Sequence, residues 1–405
     1  MELRCTACGE AHAPALLYAC RRCGGILEVK GESGLAAPPA LRGSMWREAA
    51  HLSVTEPEAI VSLGEGETPL LRAPRLEAAL PGFRGRIWLK DETRNPTGSF
   101  KDRLVSAGIS KARELGARGV VCASSGNAGA SVAAYAARAG LPAVIVVPAH
   151  TPQGKVTQIA AHGAVLLTVE GHYSRSYALA EKLAATQGLA NLTTTFLNPW
   201  AVDGAKLAGL EIARQLGGRA PEHVLIPTGS GPLVQGVARG LAMAGLSTRL
   251  VAVQAEGCAP IARAWAAGDA QVAAWDAPRT IASGISDPLI GYEADGTLTL
   301  RLLRESGGCA IAVSDEALRQ AMRDLARLEG IYAEPTGASP VAALVPLLER
   351  GLVAPEAELV LMVTGHGFKD PALWQSLPAR IHAVADPDDL AAVARLWESA
   401  AAERD

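Results

Sequence analysis

The stretch Asn95-Pro96-Thr97-Gly98-Ser99-Phe100-Lys101-Asp102-Arg103 joins a predicted strand to a predicted helix. An apolar run at 87–90 precedes it, and residues 104–115 follow with the apolar spacing and alanine content of a helix. A proline and a glycine just ahead of a helix indicate a tight turn, in which Thr97 or Ser99 can cap the first helical amides. The segment is therefore predicted to be a strand-to-helix junction.

Lys101 lies at this junction, beside polar groups rather than on a solvated helix face. The N-terminus of a helix disfavours an ammonium group, so it lowers the pKa of a lysine placed there. A lysine with a lowered pKa suits Schiff-base formation with an aldehyde. The alternative is a surface lysine in the first helical turn, where the helix dipole prefers anions. Lys101 is the candidate catalytic residue.

Two further turns between a strand and a helix are rich in polar residues and glycine. Ser124-Ser125-Gly126-Asn127-Ala128-Gly129 offers hydroxyls, backbone amides and a helix N-terminus, all suited to a carboxylate. Pro227-Thr228-Gly229-Ser230-Gly231-Pro232-Leu233 has glycines that let the backbone approach an anion, and Pro232 suits the first helical position. We interpret the second turn as a phosphate-binding loop. Either turn alone resembles any connection in an α/β protein.

The order of these segments resembles that of the fold type II (tryptophan synthase β) pyridoxal-phosphate enzymes, and among them the threonine synthases. The similarity extends from about residue 64 to about residue 371 and includes Val363-Thr364-Gly365-His366-Gly367. The resemblance implies an α/β fold with two parallel-sheet, three-layer domains, and pyridoxal 5'-phosphate as cofactor. It also implies elimination or replacement chemistry on an amino-acid substrate.

The resemblance also implies roles for individual residues. Lys101 matches the Schiff-base lysine, and Asn127 matches the asparagine that hydrogen-bonds the phenolic oxygen of the cofactor. Thr364 matches the hydroxyl that faces the pyridine nitrogen. A neutral partner leaves that nitrogen unprotonated, which favours elimination and replacement over transamination. The loop that holds the cofactor phosphate is matched by Thr228, Gly229, Ser230, Gly231 and Leu233, and the predicted substrate-binding residues are Ser124, Ser125 and Ala128.

Four cysteines near the N-terminus form two Cys-x-x-Cys pairs, each followed by glycine. Four thiolates at this spacing favour a closed, structural zinc site over a pair of disulfides or a site without metal. A nucleic-acid-binding ribbon is the rival interpretation, but two clustered basic residues, Arg21 and Arg22, are too few for it. The predicted zinc ligands are Cys5, Cys8, Cys20 and Cys23.

Predicted strands alternate with helices after residue 86, which indicates parallel sheets. We place strands at 119–123, 143–147, 164–169, 193–197, 224–226, 250–254 and 359–363. With the family resemblance, this pattern predicts a zinc ribbon at 1–35, a large catalytic domain at 36–101 and 205–405, and a small α/β domain at 102–204.

Composition restricts the location and the partners of the protein. A chain of 405 residues, 49% of them hydrophobic, can bury more than one core. The net charge of −3 provides no field for nucleic acid or anionic membrane. No apolar run of 18 residues and no signal peptide are evident. We therefore expect a cytoplasmic protein with no nucleic-acid or membrane partner. With the family resemblance, we expect a homodimer that binds a small amino acid.

The substrate is less well determined. Threonine synthases act on O-phosphohomoserine and have a hydroxyl residue and an arginine at the positions of Phe196 and Ala201 here, and a threonine at Ala128. Without those groups, Arg175, His172, Ser174 or Lys206 are the alternatives for binding a substrate phosphate. Ser283 and Ser286 are candidates for lining the substrate pocket.

Three activities are compatible with parts of the sequence. The first is threonine synthase, which forms L-threonine and phosphate from O-phospho-L-homoserine and water. The second is a threonine/serine dehydratase or another β-replacement synthase or lyase. The third, a nicotinamide dinucleotide oxidoreductase, fails because no Gly-x-Gly-x-x-Gly follows a strand with an acidic residue about 20 positions later.

Overall fold

The computed structural model describes residues 1–124, 126–149, 151, 153–170, 173–375, 391 and 394. It divides the chain into two compact units, Met1–Lys369 and Asp370–Asp405. The strands of the described residues are β1 (Glu2–Cys5), β2 (Ala11–His12), β3 (Leu27–Lys30), β4 (Leu70–Arg72), β5 (Arg86–Asp91), β6 (Val120–Ala123), β7 (Ala143–Pro148), β8 (Val165–Val169), β9 (Ala190–Asn191), β10 (His223–Pro227), β11 (Arg249–Ala255), β12 (Cys309–Val313) and β13 (Glu358–Val363).

Helices connect most of these strands. In the first unit they are α1 (Pro74–Ala79), α2 (Lys101–Glu114), α3 (Asn127–Ala139), α4 (Gln153–Ala161), α5 (Tyr173–Gln187), α6 (Pro199–Gly204), α7 (Lys206–Gln215), α8 (Pro232–Met243), α9 (Pro260–Ala267), α10 (Glu293–Glu305), α11 (Asp315–Glu329), α12 (Pro335–Ala342) and α13 (Leu344–Glu349). The second unit contains α14 (Pro371–Gln375). Short 3-10 helices lie at Pro39–Leu41, Met45–His51, Pro57–Ala59, Glu92–Arg94, Ser283–Ile285 and Gly367–Lys369.

The described strands form three sheets. A six-stranded sheet has the order β12-β11-β10-β13-β5-β4 and is parallel except for the pairing of β4 with β5. A four-stranded sheet, β8-β7-β6-β9, is parallel throughout. The third sheet is small and antiparallel, with β1 between β2 and β3. Every residue of β6 and β10 is buried, which is typical of strands covered on both faces.

The predicted α/β class with parallel sheets is confirmed, whereas the domain boundaries at residues 35, 101 and 204 stay predictions. The strand predicted at 193–197 is wrong, because β9 ends at Asn191 and a turn follows. Thr193 donates its N–H to Asn191 Oδ1 over 3.0 Å, and its hydroxyl accepts the Ala123 N–H over 3.0 Å. Such side-chain bonds compete with a sheet ladder. The prediction also omits β4 and β12.

The small antiparallel sheet contacts the rest of the first unit at α6 and β9. Leu3 and Val29 pack with Trp200, whose indole N–H donates to the Ala15 carbonyl over 2.9 Å. The Tyr18 hydroxyl accepts the N–H of Asn191 over 2.8 Å. Apolar packing and hydrogen bonds together hold residues 1–30, which we call the N-terminal module, beside the turn that follows β9.

A buried group of four charged side chains joins β5, α2 and α7. We call Lys90, Glu92, Arg103 and Glu211 the charged quartet. Lys90 Nζ lies 2.7 Å from Glu211 Oε2, Arg103 Nη1 lies 2.6 Å from Glu211 Oε1, and Arg103 Nε lies 2.7 Å from Glu92 Oε2. All four side chains are at most 1% exposed. Two positive and two negative charges therefore neutralise one another in an interior that water does not reach.

No described helix combines the length and the apolar character that a membrane crossing requires.

The charged quartet leads to a stability prediction. Glu211→Ala leaves the Lys90 ammonium and part of the Arg103 guanidinium without an anion in a dry interior, so we expect a loss of about 3–5 kcal/mol in the free energy of unfolding. Urea unfolding followed by circular dichroism measures it. Glu356→Ala, which breaks an exposed pair with Arg84, is the control and should leave the unfolding midpoint nearly unchanged. Equal midpoints for the two variants would contradict the prediction.

Candidate active site

Lys101 is the first residue of α2 and lines a cavity of about 380 Å³. Its Nζ donates to Thr194 Oγ1 over 2.6 Å, in the turn after β9. Burial lowers the pKa of Lys101 to about 8, although Cys122, Asp287 and Glu334 act in the opposite direction. The direction agrees with the sequence prediction, but the dominant cause is loss of water rather than the helix dipole. At pH 7.4 roughly a fifth of the amine is therefore neutral, far more than for a lysine with the ordinary pKa of about 10.4.

The turn before Lys101 differs from the predicted one. Phe100 occupies the N-cap position of α2, and no side chain caps the helix there. Thr97 instead donates both its N–H, over 2.7 Å, and its hydroxyl, over 2.6 Å, to the carboxylate of Asp102. The predicted capping by Thr97 or Ser99 is therefore wrong, because an acid inside the helix fastens the turn. Gly98 makes this geometry accessible with a φ of 79°.

Residues after β13 are bound to the same turn. The Phe100 N–H donates to the Thr364 carbonyl over 3.1 Å, and the His366 N–H donates to the Gly98 carbonyl over 2.9 Å. Thr364 lines the cavity together with Lys101. Its hydroxyl oxygen is buried and has no hydrogen-bond partner among the described residues. Because buried polar groups are nearly always satisfied, this hydroxyl is available to a ligand.

The predicted phosphate loop also reaches Lys101. Gly229, Ser230, Gly231 and Leu233 line a second, smaller cavity of about 60 Å³, to which Lys101 and Thr364 also belong. Gly231 has a φ of 119° and forms the N-cap of α8, and Pro232 occupies the first helical turn as predicted. A Cβ at Gly231 would overlap the hydroxyl of Thr299. Thr228 is buried beneath the loop and donates its hydroxyl to the Ile226 carbonyl over 2.7 Å.

The turn after β6 forms another wall of the larger cavity. Ser124, Asn127 and Ala128 line it, whereas Ser125 lies outside the described residues. No side-chain hydrogen bond caps the N-terminus of α3 in the described part of the chain. Asn127 donates one N–H of its amide to Glu334 Oε1 over 2.6 Å. An amide nitrogen has two hydrogens, so the second remains for a ligand acceptor.

The sequence prediction did not identify three charged residues of the larger cavity, Asp287, Glu334 and Lys369. Asp287 accepts the Tyr292 hydroxyl over 2.7 Å, and a Cβ at Gly229 would lie 3.1 Å from the Asp287 Cβ. Burial raises the pKa of Asp287. The one sequence feature that marks the position of Glu334 is Pro335, because a proline often occupies the first turn of a helix. Ser283 and Ser286 also line this cavity.

The residues considered for a substrate phosphate lie elsewhere. Phe196 and Ala201 are 2% and 1% exposed, and neither is among the described residues that line the two cavities. Lys206 is buried with its Nζ 2.7 Å from Asp203 Oδ1, so its charge is already paired within the protein. Arg175 is exposed and donates to the Glu170 carbonyl over 2.8 Å. His172 and the side chain of Ser174 lie outside the described residues.

The four N-terminal cysteines are close together. Their sulfur atoms all lie within 4.8 Å of one another, and those of Cys5 and Cys23 are 3.5 Å apart. The sulfur of Cys8 lies 3.7 Å from that of Cys20 and 3.4 Å from that of Cys23. Four thiolates about 2.3 Å from one zinc ion would lie about 3.8 Å apart. The cluster has the dimensions of a four-sulfur metal site, and all seven cysteines are free thiols.

Comparison with known proteins agrees with this geometry. A family model described as "Pyridoxal-phosphate dependent enzyme" matches residues 61–365. The threonine synthase of Methanosarcina acetivorans is 36% identical over 384 residues, covering 91% of this chain and 92% of the relative. The threonine synthase of Methanocaldococcus jannaschii is 34% identical over 386 residues, covering 92% and 93%.

Solved structures give the same fold. Maize serine racemase matches with a TM-score of 0.67 at 25% identity, covering 77% of this chain and 91% of that one. The processed form of threonine deaminase isoform 2 from Solanum lycopersicum matches with a TM-score of 0.66 at 25% identity, covering 79% and 88%. The family model covers most of the chain, and the two threonine synthases align over nearly its whole length. The chain therefore belongs to the pyridoxal-phosphate dependent enzyme family.

Proposed function

We propose that this protein is a threonine synthase that converts O-phospho-L-homoserine and water into L-threonine and phosphate. The proposal depends mainly on one observation: Lys101, Thr364 and the loop at 229–233 meet around two adjoining cavities. The relatives named threonine synthase, which are 36% and 34% identical over nearly the whole chain, favour this activity within the family. A threonine/serine dehydratase is the alternative, favoured by the structural likeness to a threonine deaminase.

The residues around the cavities fit pyridoxal 5'-phosphate. The unsatisfied hydroxyl of Thr364 suits a ring nitrogen, and the second amide hydrogen of Asn127 suits the phenolic oxygen. Gly229, Ser230 and Gly231 leave the backbone open to a phosphate at the start of α8. When bound, the cofactor stabilises negative charge that develops on the carbon atoms of the substrate.

The side chains of the protein would supply the remaining functions. Lys101 Nζ would bind the cofactor and, once released, carry protons to and from the substrate carbons, because its pKa of about 8 permits both protonation states. Thr194 Oγ1, 2.6 Å away, orients that nitrogen. The uncapped amides at the start of α3, with the hydroxyl of Ser124, suit the α-carboxylate of an amino acid.

We further propose that Cys5, Cys8, Cys20 and Cys23 bind one structural zinc ion. The sulfur separations of 3.4–3.7 Å between neighbouring cysteines are close to those of a tetrahedral site. Burial raises the pKa of the Cys5 thiol, but hydrogen bonds from the backbone of Cys8 and Ala7 and from the thiols of Cys23 and Cys8 together outweigh it and lower the pKa to about 7. Free thiols accord with a cytoplasmic location, which we propose for this protein. We also propose that it is a homodimer that acts on an amino-acid substrate.

The proposed activity has a direct test. Purified enzyme with added cofactor should release equal amounts of L-threonine and phosphate from O-phospho-L-homoserine. Lys101→Ala should abolish this reaction, and borohydride should no longer attach the cofactor to the chain. Lys182→Ala, at an exposed site on α5, is the matched control and should behave as wild type. A 2-oxo acid formed rapidly from L-threonine, without turnover of O-phospho-L-homoserine, would indicate a dehydratase instead.

The phosphate loop predicts an unequal pair of variants. Ser230→Ala removes one hydroxyl and should weaken cofactor binding by about 1 kcal/mol, or about fivefold. Gly231→Val forces a branched side chain into a φ of 119° and against Thr299, so it should weaken binding far more. Gly217→Ala controls for backbone strain alone, since a Cβ at that glycine meets nothing within 4 Å. Fluorescence titration of apo-protein measures the affinities, and similar losses for both loop variants would contradict a close backbone approach.

The cysteine cluster predicts a metal content of one zinc ion per chain. Cys20→Ser should reduce the zinc found by elemental analysis of freshly purified protein and should lower the melting temperature. Cys309→Ala, in β12, should retain the full zinc content. Wild-type protein purified without chelators and containing no zinc would refute the site.

A further inference from the structure

The larger cavity contains a lysine that the proposed cofactor chemistry does not use. Among its described lining residues, the basic side chains are Lys101 and Lys369. Lys101 would be occupied by the cofactor. Lys369 ends the 3-10 helix that follows β13, close in sequence to Thr364.

Lys369 is fixed against the cavity wall by an amide. Its Nζ donates to Gln158 Oε1 over 2.7 Å, and Gln158 Nε2 in turn donates to the Thr97 carbonyl over 3.4 Å. This bond uses one of three ammonium hydrogens, and a neutral amide cannot offset a positive charge. Burial lowers the pKa of Lys369, against the opposing effect of Glu334 and Asp102. An anion next to Lys369 would compensate for the water that the ammonium has lost.

The proposed substrate brings two anions into this cavity. The α-carboxylate has a suitable site in the amides at the start of α3, beside Ser124. The phosphate is a dianion and needs charge-assisted hydrogen bonds of its own. Phe196 and Ala201 provide none, because both are buried outside the two cavities. Lys206 is bound to Asp203.

Building on the proposed function, we propose that Lys369, positioned by Gln158, binds the phosphate of the substrate and so selects amino acids that carry a phosphomonoester. Lys369 is thus a specificity-determining residue on the loop after β13. Lys101 and Lys369 divide the positive charge of the cavity between the cofactor and the departing group of the substrate.

Inorganic phosphate and L-threonine probe the two anion sites separately. With cofactor bound, so that its own phosphate loop is filled, calorimetry on Lys369→Gln should show phosphate affinity reduced by about 10- to 100-fold, as for loss of a hydrogen bond to a charged group. Binding of L-threonine, which has the carboxylate but no phosphate, should change less than about twofold, within the range of an energetically neutral substitution. The kcat/KM for O-phospho-L-homoserine should fall with the phosphate affinity.

Two further variants serve as controls. Lys369→Arg keeps the charge and should retain much of the phosphate affinity, which also covers the case in which Lys369→Gln fails to fold. Lys182→Gln removes an exposed lysine and should change neither affinity. Equal losses of phosphate and L-threonine binding in Lys369→Gln would overturn the proposal, as would unchanged phosphate binding in that variant or no saturable phosphate binding by wild type.

These outcomes separate the inference from the proposed function. Wild type that turns over O-phospho-L-homoserine, with Lys369→Gln equally active and equally able to bind phosphate, refutes the role of Lys369 alone. Wild type that binds phosphate through Lys369 but does not convert O-phospho-L-homoserine refutes the threonine synthase activity and supports the anion site.

Discussion

Four buried charged side chains hold β5, α2 and α7 together in this protein. Taking Lys90, Glu92, Arg103 and Glu211 out of solvent costs several kcal/mol per ion, and only well-placed partners offset it. The Arg103 guanidinium pairs with both Glu92, just after β5, and Glu211, so it joins α2 to the end of β5 and to α7. Arg103 is two residues beyond Lys101 in the same helix. The position of the nucleophile is thus fixed by electrostatics on one side of α2.

Hydrogen bonding fixes the other side. The Asp102 carboxylate accepts hydrogen bonds from the N–H and the hydroxyl of Thr97. The Phe100 N–H donates to the Thr364 carbonyl. Lys101 therefore lines the cavity, while the residues on either side of it form hydrogen bonds within the protein. The Lys101 amine can therefore be dry enough for a lowered pKa and still have a hydrogen-bond partner, since Thr194 Oγ1 accepts its hydrogen bond.

The sequence was most informative where chemistry is carried by contiguous residues. The junction at 95–103, the loop at 228–233 and the paired cysteines are local patterns, and each could be recognised without tertiary information. Asp287, Glu334 and Lys369 could not be found this way, because charged residues outside the strands and α-helices look like surface residues until the fold brings them to one cavity. Residues 193–197 resemble a strand in sequence because threonine favours strands, yet the Thr193 hydroxyl here replaces a ladder bond by accepting the Ala123 N–H. The start of α2 differs from the sequence prediction because Asp102, inside the helix, accepts the hydrogen bonds that hold the preceding turn.

The contacts of the N-terminal module also constrain the order of folding. Its partners come late in the chain: Ala15 meets Trp200, Tyr18 meets Asn191, and the Val29 carbonyl accepts a hydrogen bond from Arg239. These pairs are separated by 185, 173 and 210 residues. Contacts of such long range require closure of large loops and slow the folding of a chain. Residues 1–30 can therefore acquire these contacts only after the segment from residue 191 to residue 239 has been synthesised.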